Sequence, residues 1–421
     1  MKFFHIPKLN HISLFSCLLL TCYIILALLI LRSNSPVSYG DTEQYYIAAG
    51  LAYLKGNYTV NPEHPPLAKY IIALYYMYVS RDLGILSILF SSITLLFLYK
   101  ILHLLFKNTL EAFILALILI TNTLFLHVSV SCLLDVFYIS FLIVALYFLL
   151  KYLLDNKHNV RSILTSTIAL GLALGCKITT AIFLTAIIFF IIVYAIYTHN
   201  LRKTLYSLLL LSTIPMIVYF LSFLHFIMNG MTLLDVIERQ WFMITYHSKF
   251  HHPTFYTIFN ALVRLFFNFV ILKYYSLGHI ELSLRQDSML QSLTITLSQE
   301  SYVGLGIKFY AGLGSIINFL FLPSLLYVTY TSILKRKSNH LLITCLLVAS
   351  LIQNIPTISI DWYFYPSIIF FHIATYIYLR EYLIKDLNKR YLFLIFIIIL
   401  NILGLALTMS DLHEINLIIG K

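Results

Sequence analysis

The sequence predicts an all-α polytopic membrane protein, and three observations carry that prediction. Of its 421 residues 60% are hydrophobic and only 11% charged, where a water-soluble domain carries about 25% charged residues. Apolar runs of about 17–25 residues recur, the length that crosses a hydrocarbon core of about 30 Å as a helix. The basic residues gather in short clusters beside those runs and form no single patch. A closed β-barrel would show shorter, alternating segments. Scattered clusters also argue against nucleic-acid binding despite a net charge of +11.

Taken in order, spans are expected at 12–31, 83–100, 109–128, 132–150, 161–176, 178–198, 204–228, 304–334, 340–356, 362–380 and 391–410, about eleven in all. The first lacks an A-x-A cleavage site and reads as a retained helix rather than a signal peptide. Pro215 predicts a kink in the 204–228 span. The overlong 304–334 run holds Gly312, Gly314 and Pro323, so it is expected to tilt or bend. The cysteines (Cys17, Cys22, Cys132, Cys176, Cys345) lie in or beside apolar runs without metal-type spacing and read as small core residues. No soluble domain or internal repeat is visible, so residues 1–421 are expected to form a single integral membrane domain.

Orientation follows from charge. With the N-terminus inside, the cytoplasmic side receives Lys2 and Lys8, Lys100 and Lys107, Lys151, Lys157 and Arg161, Arg202 and Lys203, Lys335 to Lys337, and Arg380, Lys385, Lys389 and Arg390. These are more than half of the 28 Lys and Arg, as the positive-inside rule requires. Of the 17 acids only Glu111, Asp155, Glu381 and Asp386 fall there. An odd number of spans then places the C-terminus outside.

Two outer loops are large, at 32–82 and 229–303. A connector between membrane helices needs only a few residues, so the first loop's acidic and aromatic stretch, Tyr39 to Tyr70, reads as working machinery. Within it, Leu67 to Val79 is expected to form a helix lying in the membrane interface, too short to span. In the second loop, the apolar-aromatic run 259–275 is expected to lie flat on the membrane.

Candidate chemistry concentrates in these loops, and each candidate has a plain structural alternative. Asp41 and Glu43 stand at i and i+2 and cannot share one helix face, so one is expected to face a site. They also suit solvated loop acids or a helix cap. In PEHPPLAK (62–69) the paired prolines stiffen the chain and present Glu63 and His64, with Lys69 at the start of the next helix. A rigid turn with a snorkelling lysine is the alternative. Asp135, at the outer end of a span, is costly unless paired or at the water boundary, and its alternative is an interfacial cap. His247 and His251, with His252, have one spacing compatible with a metal. No carboxylate or Cys follows at a characteristic distance, so hydrogen bonding to substrate is preferred and no metal is expected.

GD-x-E-x-YY in the first outer loop, followed by EHPPLAK, resembles the protein O-mannosyltransferase family and the related aminoarabinose transferases of the membrane-embedded glycosyltransferase C class. Further similar elements follow in order: SCLLDVFYISF (131–141), GLALGCK (171–177), QWFMITYHSKFHHP (240–253) and DWYFYP (361–366). All lie on the face that the charges designate as outer. The chain departs from the family pattern at Thr42, where a second acid is usual, and at Ala68, where Gly is usual. The helper acid therefore stays open between Glu43 and Glu63.

The resemblance implies transfer of a sugar, mannose or another hexose, from a polyprenyl or dolichyl monophosphate to a hydroxyl, with inversion. The implied acceptor is Ser/Thr of a protein, on the extracytoplasmic face of the cell membrane. It also implies roles. Asp41 is the base, assisted by Glu43 or Glu63. His64, Asp135, Tyr246, His247, His252 and Tyr365 bind sugar or acceptor. Lys69, Lys177, Arg264 and Arg81 hold the lipid phosphate. The lipid-linked sugar is a substrate, and no cofactor is expected. Transfer to a lipid or glycan is the rival within the class. A transporter is the rival outside it, disfavoured because ionisable residues sit at one face rather than at mid-membrane in repeated, interrupted helices.

Overall fold

A computed structural model describes residues 11–32, 40–154, 159–199, 201–250, 269–274, 280–281, 296–297, 304–309, 316–354 and 364–419. The first half comprises α1 (His11–Arg32), α2 (Gly40–Leu54), α3 (Leu67–Tyr78), α4 (Leu83–Phe106), α5 (Thr109–Ile120), α6 (Thr123–Val130), α7 (Leu134–Leu154), α8 (Val160–Cys176) and α9 (Thr180–Thr198). There follow α10 (Leu201–Leu221), α11 (Leu224–Met228), α12 (Leu233–Phe250), strands β1 (Phe269–Tyr274), β2 (Ile280–Glu281), β3 (Thr296–Leu297) and β4 (Gly304–Phe309), and a 3-10 turn (Ile316–Leu320). The chain closes with α13 (Phe321–Leu334), α14 (Ser338–Asn354), α15 (Tyr365–Tyr378) and α16 (Leu387–Ile419).

Helices α1, α4, α7, α9 and α10 are long and apolar enough to cross a membrane among the described residues, as expected of a multi-pass membrane protein. Short polar side chains between apolar runs set the starts of α4, α5 and α8. Asp82 accepts from Gly84 N at 3.0 Å to open α4, Asn108 from Leu110 and Glu111 N at 3.0 and 3.1 Å to open α5, and Asn159 from Ser162 N at 3.4 Å to open α8. Such caps satisfy donors that a helix start leaves unpaired.

Helix α7 lies at the centre, packed between α4 and α8, and is buried along nearly its whole length. Thr94 and Ser140 hydroxyls join α4 to α7 at 2.8 Å. Helix α8 meets α10 at Gly171, where a Cβ would fall 2.5 Å from Val218 Cβ and 2.9 Å from the Pro215 carbonyl oxygen. Only glycine permits that approach. On the periphery, Leu14, Ile25 and Leu29 of α1 and Phe189, Ile192 and Ile196 of α9 are exposed, the lipid-facing surface that an apolar solvent calls for.

Three sequence expectations need correction. The 109–128 span is not one helix: α5 and the following helix meet at 74°. The break falls where Asn122 caps α6 through Phe125 N at 3.0 Å. The 204–228 span stops at Leu221, and a turn at Ser222–Phe223 leads into the short α11. The 304–334 run divides, because residues 304–309 form β4, antiparallel to β1 with Phe269 opposite Phe309 and Tyr274 opposite Gly304. Within the 259–275 run, residues 269–274 are that partner strand, and the rest of the run lies outside the described residues. A short apolar run suits strand or helix equally, and backbone pairing decides between them.

Candidate active site at one end of the bundle

The site is built where the two large outer loops meet. Helix α2 packs on α3 at Gly50, where a Cβ would lie 2.3 Å from the Lys69 carbonyl oxygen. This close crossing brings Tyr53 of α2 over Lys69 of α3. Between them the chain turns at Gly56 (φ 79°) and Asn61 (φ 48°). Leu67, at the start of α3, lies 3.2 Å from where a Gly175 Cβ would be, so this assembly sits over the C-terminal end of α8.

The Tyr53 hydroxyl is the junction. It accepts from Lys69 Nζ at 3.1 Å and from Arg239 Nη2 at 2.7 Å, and donates to the Asn61 carbonyl at 3.0 Å. Lys69 also donates to the Asn61 and His64 carbonyls, the latter at 3.1 Å. Asn61 Nδ2 donates to Glu63 Oε1. Arg239 Nη1 donates to the Tyr58 carbonyl at 2.6 Å, and its guanidinium packs 4.9 Å from the Phe226 ring. Its buried Nε–H has no acceptor among the described residues. Burial pushes the Tyr53 phenol up to about 12, with the Arg239 charge opposing. Burial likewise pulls the Lys69 ammonium well below the usual lysine value, against the pull of Glu63.

Arg239 comes from α12, whose start is fixed by a reciprocal cap: Asp235 Oδ2 accepts from Thr232 N and Oγ1, each at 2.7 Å, while Thr232 Oγ1 accepts from Asp235 N at 3.2 Å. A cavity of about 840 Å³ opens between α12 and the 56–62 turn. Its walls are Gly56, Asn57, Tyr58, Thr59 and Pro62 from the first loop and Met231, Asp235, Glu238, Arg239 and Phe242 from the second. It is of ligand size, with aromatic walls and convergent charge.

A second charged pair stands at the same end of the bundle. Asp135, in the first turn of α7, takes Lys177 Nζ on both carboxylate oxygens at 2.8 Å. Both are almost fully buried, at 2% and 3% exposure. Lys177 is held between the helix ends by Asp135. The pairing also answers the cost of a lone acid at a span end.

The remaining candidates separate. His64 is buried with its ring edge-on to Tyr46 at 6.3 Å. Tyr246 lies one turn beyond the cavity, 5.8 Å from Phe242. Arg81 is exposed, 5.8 Å from the Tyr76 ring. Tyr365 is fully buried in the core, stacks on Phe125 at 5.3 Å and is not among the walls of the 840 Å³ cavity. The side chains of Asp41, Glu43 and His247, and the whole of His251, His252 and Arg264, lie outside the described residues; the α2 backbone begins at Gly40, next to Asp41.

Arg239 is the residue that sequence reading missed, and it left a signal. Val236 and Met243, at i−3 and i+4 from it, are fully buried. A charged side chain in the buried stripe of an amphipathic helix has to find partners.

Residues 63–227 match the family described as dolichyl-phosphate-mannose-protein mannosyltransferase. The resemblance drawn from the sequence holds over that stretch, which contains Glu63, His64, Lys69, Arg81, Asp135 and Lys177. Among solved structures, ArnT from Cupriavidus metallidurans bound to undecaprenyl phosphate is 11% identical and covers 89% of this chain and 61% of its own, with a TM-score of 0.58. AglB, the oligosaccharyltransferase from Archaeoglobus fulgidus, in complex with an inhibitory peptide and a dolichol-phosphate, is also 11% identical. It covers 94% of this chain and 55% of its own, with a TM-score of 0.53. The S. cerevisiae Pmt1–Pmt2 complex bound to the sugar donor is 19% identical over 51% of this chain and 34% of that one. Its TM-score of 0.41 gives it no weight in the fold assignment. The chain thus spans less than two thirds of the length of the solved proteins it resembles, and shares the fold of membrane-embedded glycosyltransferases. No curated protein matches it.

Proposed function

We propose that this protein is a membrane glycosyltransferase that moves a hexose, mannose foremost, from a polyprenyl monophosphate to a hydroxyl, with inversion. A protein Ser/Thr is the acceptor, and the reaction takes place at the extracytoplasmic face. The observation that carries the reading is the cavity walled by both outer loops, with Arg239 in its wall joined through the Tyr53 hydroxyl to the buried Lys69. The match over residues 63–227 supports the donor class.

The chemistry follows from the donor. A sugar on a phosphate already has a good leaving group, so a base at the acceptor hydroxyl and cations at the departing phosphate are what the reaction needs. Asp41 is the base, with Glu43 or Glu63 as its helper. Lys177 receives the phosphate, exchanging one carboxylate oxygen of Asp135 for one of the donor, with Lys69, Arg81 and Arg264 as further cations. A fixed ammonium in a low-dielectric setting favours the developing charge. His64, Tyr246, His247, His252, Asp135 and Tyr365 are the sugar- and acceptor-side candidates, of which Tyr365 is the least accessible.

A place for the prenyl chain supports the same reading. An apolar groove of about 630 Å³ runs along α9 from Ile182 to Tyr197, walled opposite by α13 and α14. Ile182, at one end of it, stands in the first turn of α9, just past the turn that follows Lys177. Each methylene that the groove covers contributes roughly 0.8 kcal/mol.

The test is direct. Purified protein is incubated with polyprenyl-phosphate sugars and Ser/Thr peptides, and glycopeptide and free polyprenyl phosphate are measured together. Stoichiometric release of both is the expected result. Polyprenyl phosphate released onto lipid or glycan instead would move the acceptor class, and no turnover with any donor would end the proposal.

A further inference from the structure

We propose that the end of the bundle opposite the catalytic cavity carries a binding site for the phosphate headgroup of an anionic membrane lipid. A cavity of about 560 Å³ opens there at the C-terminal end of α7 and the N-terminal end of α10. Tyr152, Arg202, Lys203, Leu205, Tyr206 and Leu209 line it, and no carboxylate is among its described walls. Lys203 is built in, not dangling. It is 9% exposed, donates to the Leu153 carbonyl at 3.1 Å and lies 4.8 Å from the Tyr152 ring. The Leu153 carbonyl is one of those that a helix C-terminus leaves without an intrahelical partner, so this contact anchors the ammonium at a fixed place. Arg202 stands exposed at the mouth, and exposed Lys151 and Arg161 flank it on the adjoining helix ends. The two cations also occupy the first turn of α10, where the helix dipole adds to their attraction for an anion.

The surroundings select a lipid over free phosphate. Residues 202, 205, 206 and 209 fall at i, i+3, i+4 and i+7 and share one face of α10. That face leads from Arg202 to Leu205 and Leu209, exposed at 58% and 59%. A cationic cup opening onto bare leucines suits an amphiphile whose phosphate sits in the cup and whose acyl chains lie along the leucines. If the chain is oriented as its charges dictate, this end faces the cytoplasmic leaflet, which carries anionic lipid. The proposal does not depend on the transferase reading, since no residue of the catalytic cavity takes part.

The test uses the full chain in neutral detergent, with lipid retention followed by native mass spectrometry. Phosphatidylglycerol should bind the wild type more tightly than phosphatidylcholine. Arg202→Ala should weaken phosphatidylglycerol about fivefold, and Arg202→Glu further, with phosphatidylcholine unchanged. Arg202 is exposed, so neither variant disturbs packing, and Lys203→Met offers a second, buried probe. Equal retention of the two lipids by wild type, or undiminished phosphatidylglycerol binding by Arg202→Glu, would overturn the proposal. Displacement of the lipid by millimolar inorganic phosphate as effective as by phosphatidylglycerol itself would reassign the cavity to free phosphate and overturn the lipid.

Discussion

Two charged clusters, one at each end of the bundle, handle charge in opposite ways. At the end with α5, α14 and α15, the acids are closed off by neighbours. Arg390 meets Glu111 at 2.7 Å and Arg380 approaches it at 3.6 Å. Glu381 takes Lys337 at 2.6 Å, His340 at 3.3 Å and Tyr327 at 3.1 Å. At the other end the same kinds of group stand on the edge of open space. Arg239 forms part of a cavity wall. A buried ion pair holds a structure together only weakly, and breaking one is costly.

The sharpest way to break the comparison is at Lys177. Lys177→Ala strands Asp135 in the interior and should cost about 3–5 kcal/mol, read as a fall in melting temperature. Asp135→Leu combined with Lys177→Met should recover most of that stability but not donor binding. Recovery of both would make the pair purely structural. Asp41→Asn should lower turnover by about a hundredfold or more while leaving lipid-donor affinity near wild type, and near-normal transfer would remove Asp41 from the mechanism.

Arg239→Lys keeps the charge but cannot reach Tyr53 and Tyr58 together. Losing one charged hydrogen bond of about 1.5–3 kcal/mol should lower kcat/KM by roughly tenfold to a hundredfold. An unchanged value would leave the cavity without a catalytic connection. At the closed end, Glu111→Gln should lower stability by about 1–3 kcal/mol and leave turnover within a factor of about two. Loss of turnover there would erase the contrast between the ends.

The smallest effect is in pH. Burial acts to raise the Glu381 carboxyl, but hydrogen bonds from His340 and Lys337 prevail and hold it at about 2. A depressed folded value means that its stabilisation is complete above the ordinary glutamate range and is lost as pH falls toward about 2. Wild type and Glu381→Gln should therefore differ by a constant melting offset above about pH 5, and converge as the medium is acidified. Parallel curves throughout would show that Glu381 is not held in this way.

Much of this architecture is legible in the sequence, for identifiable reasons. Helices α4, α7, α8 and α9 fall close to their expected places because an unbroken apolar run of membrane length has few other outcomes. The bend at Asn122 was hidden because one amide hardly alters the hydropathy of a window, yet its side chain caps the start of a new helix. Strand β4 was hidden because its partner lies far away in sequence. Asp135 and Lys177 were each visible as boundary residues, but their contact across 42 positions was not. Nor was the meeting of Arg239 with Tyr53, set by how the two loops fold over α8.

One hydroxyl group ties three segments together. Tyr53 is pinned to α3 through Lys69 and to α12 through Arg239, while its own helix carries Asp41 at the far end, about 18 Å of helix rise away. The helix is thus a lever whose fulcrum is a phenol. A displacement of α12 would pass through that phenol into α2 and α3 together, so the two outer loops are mechanically joined.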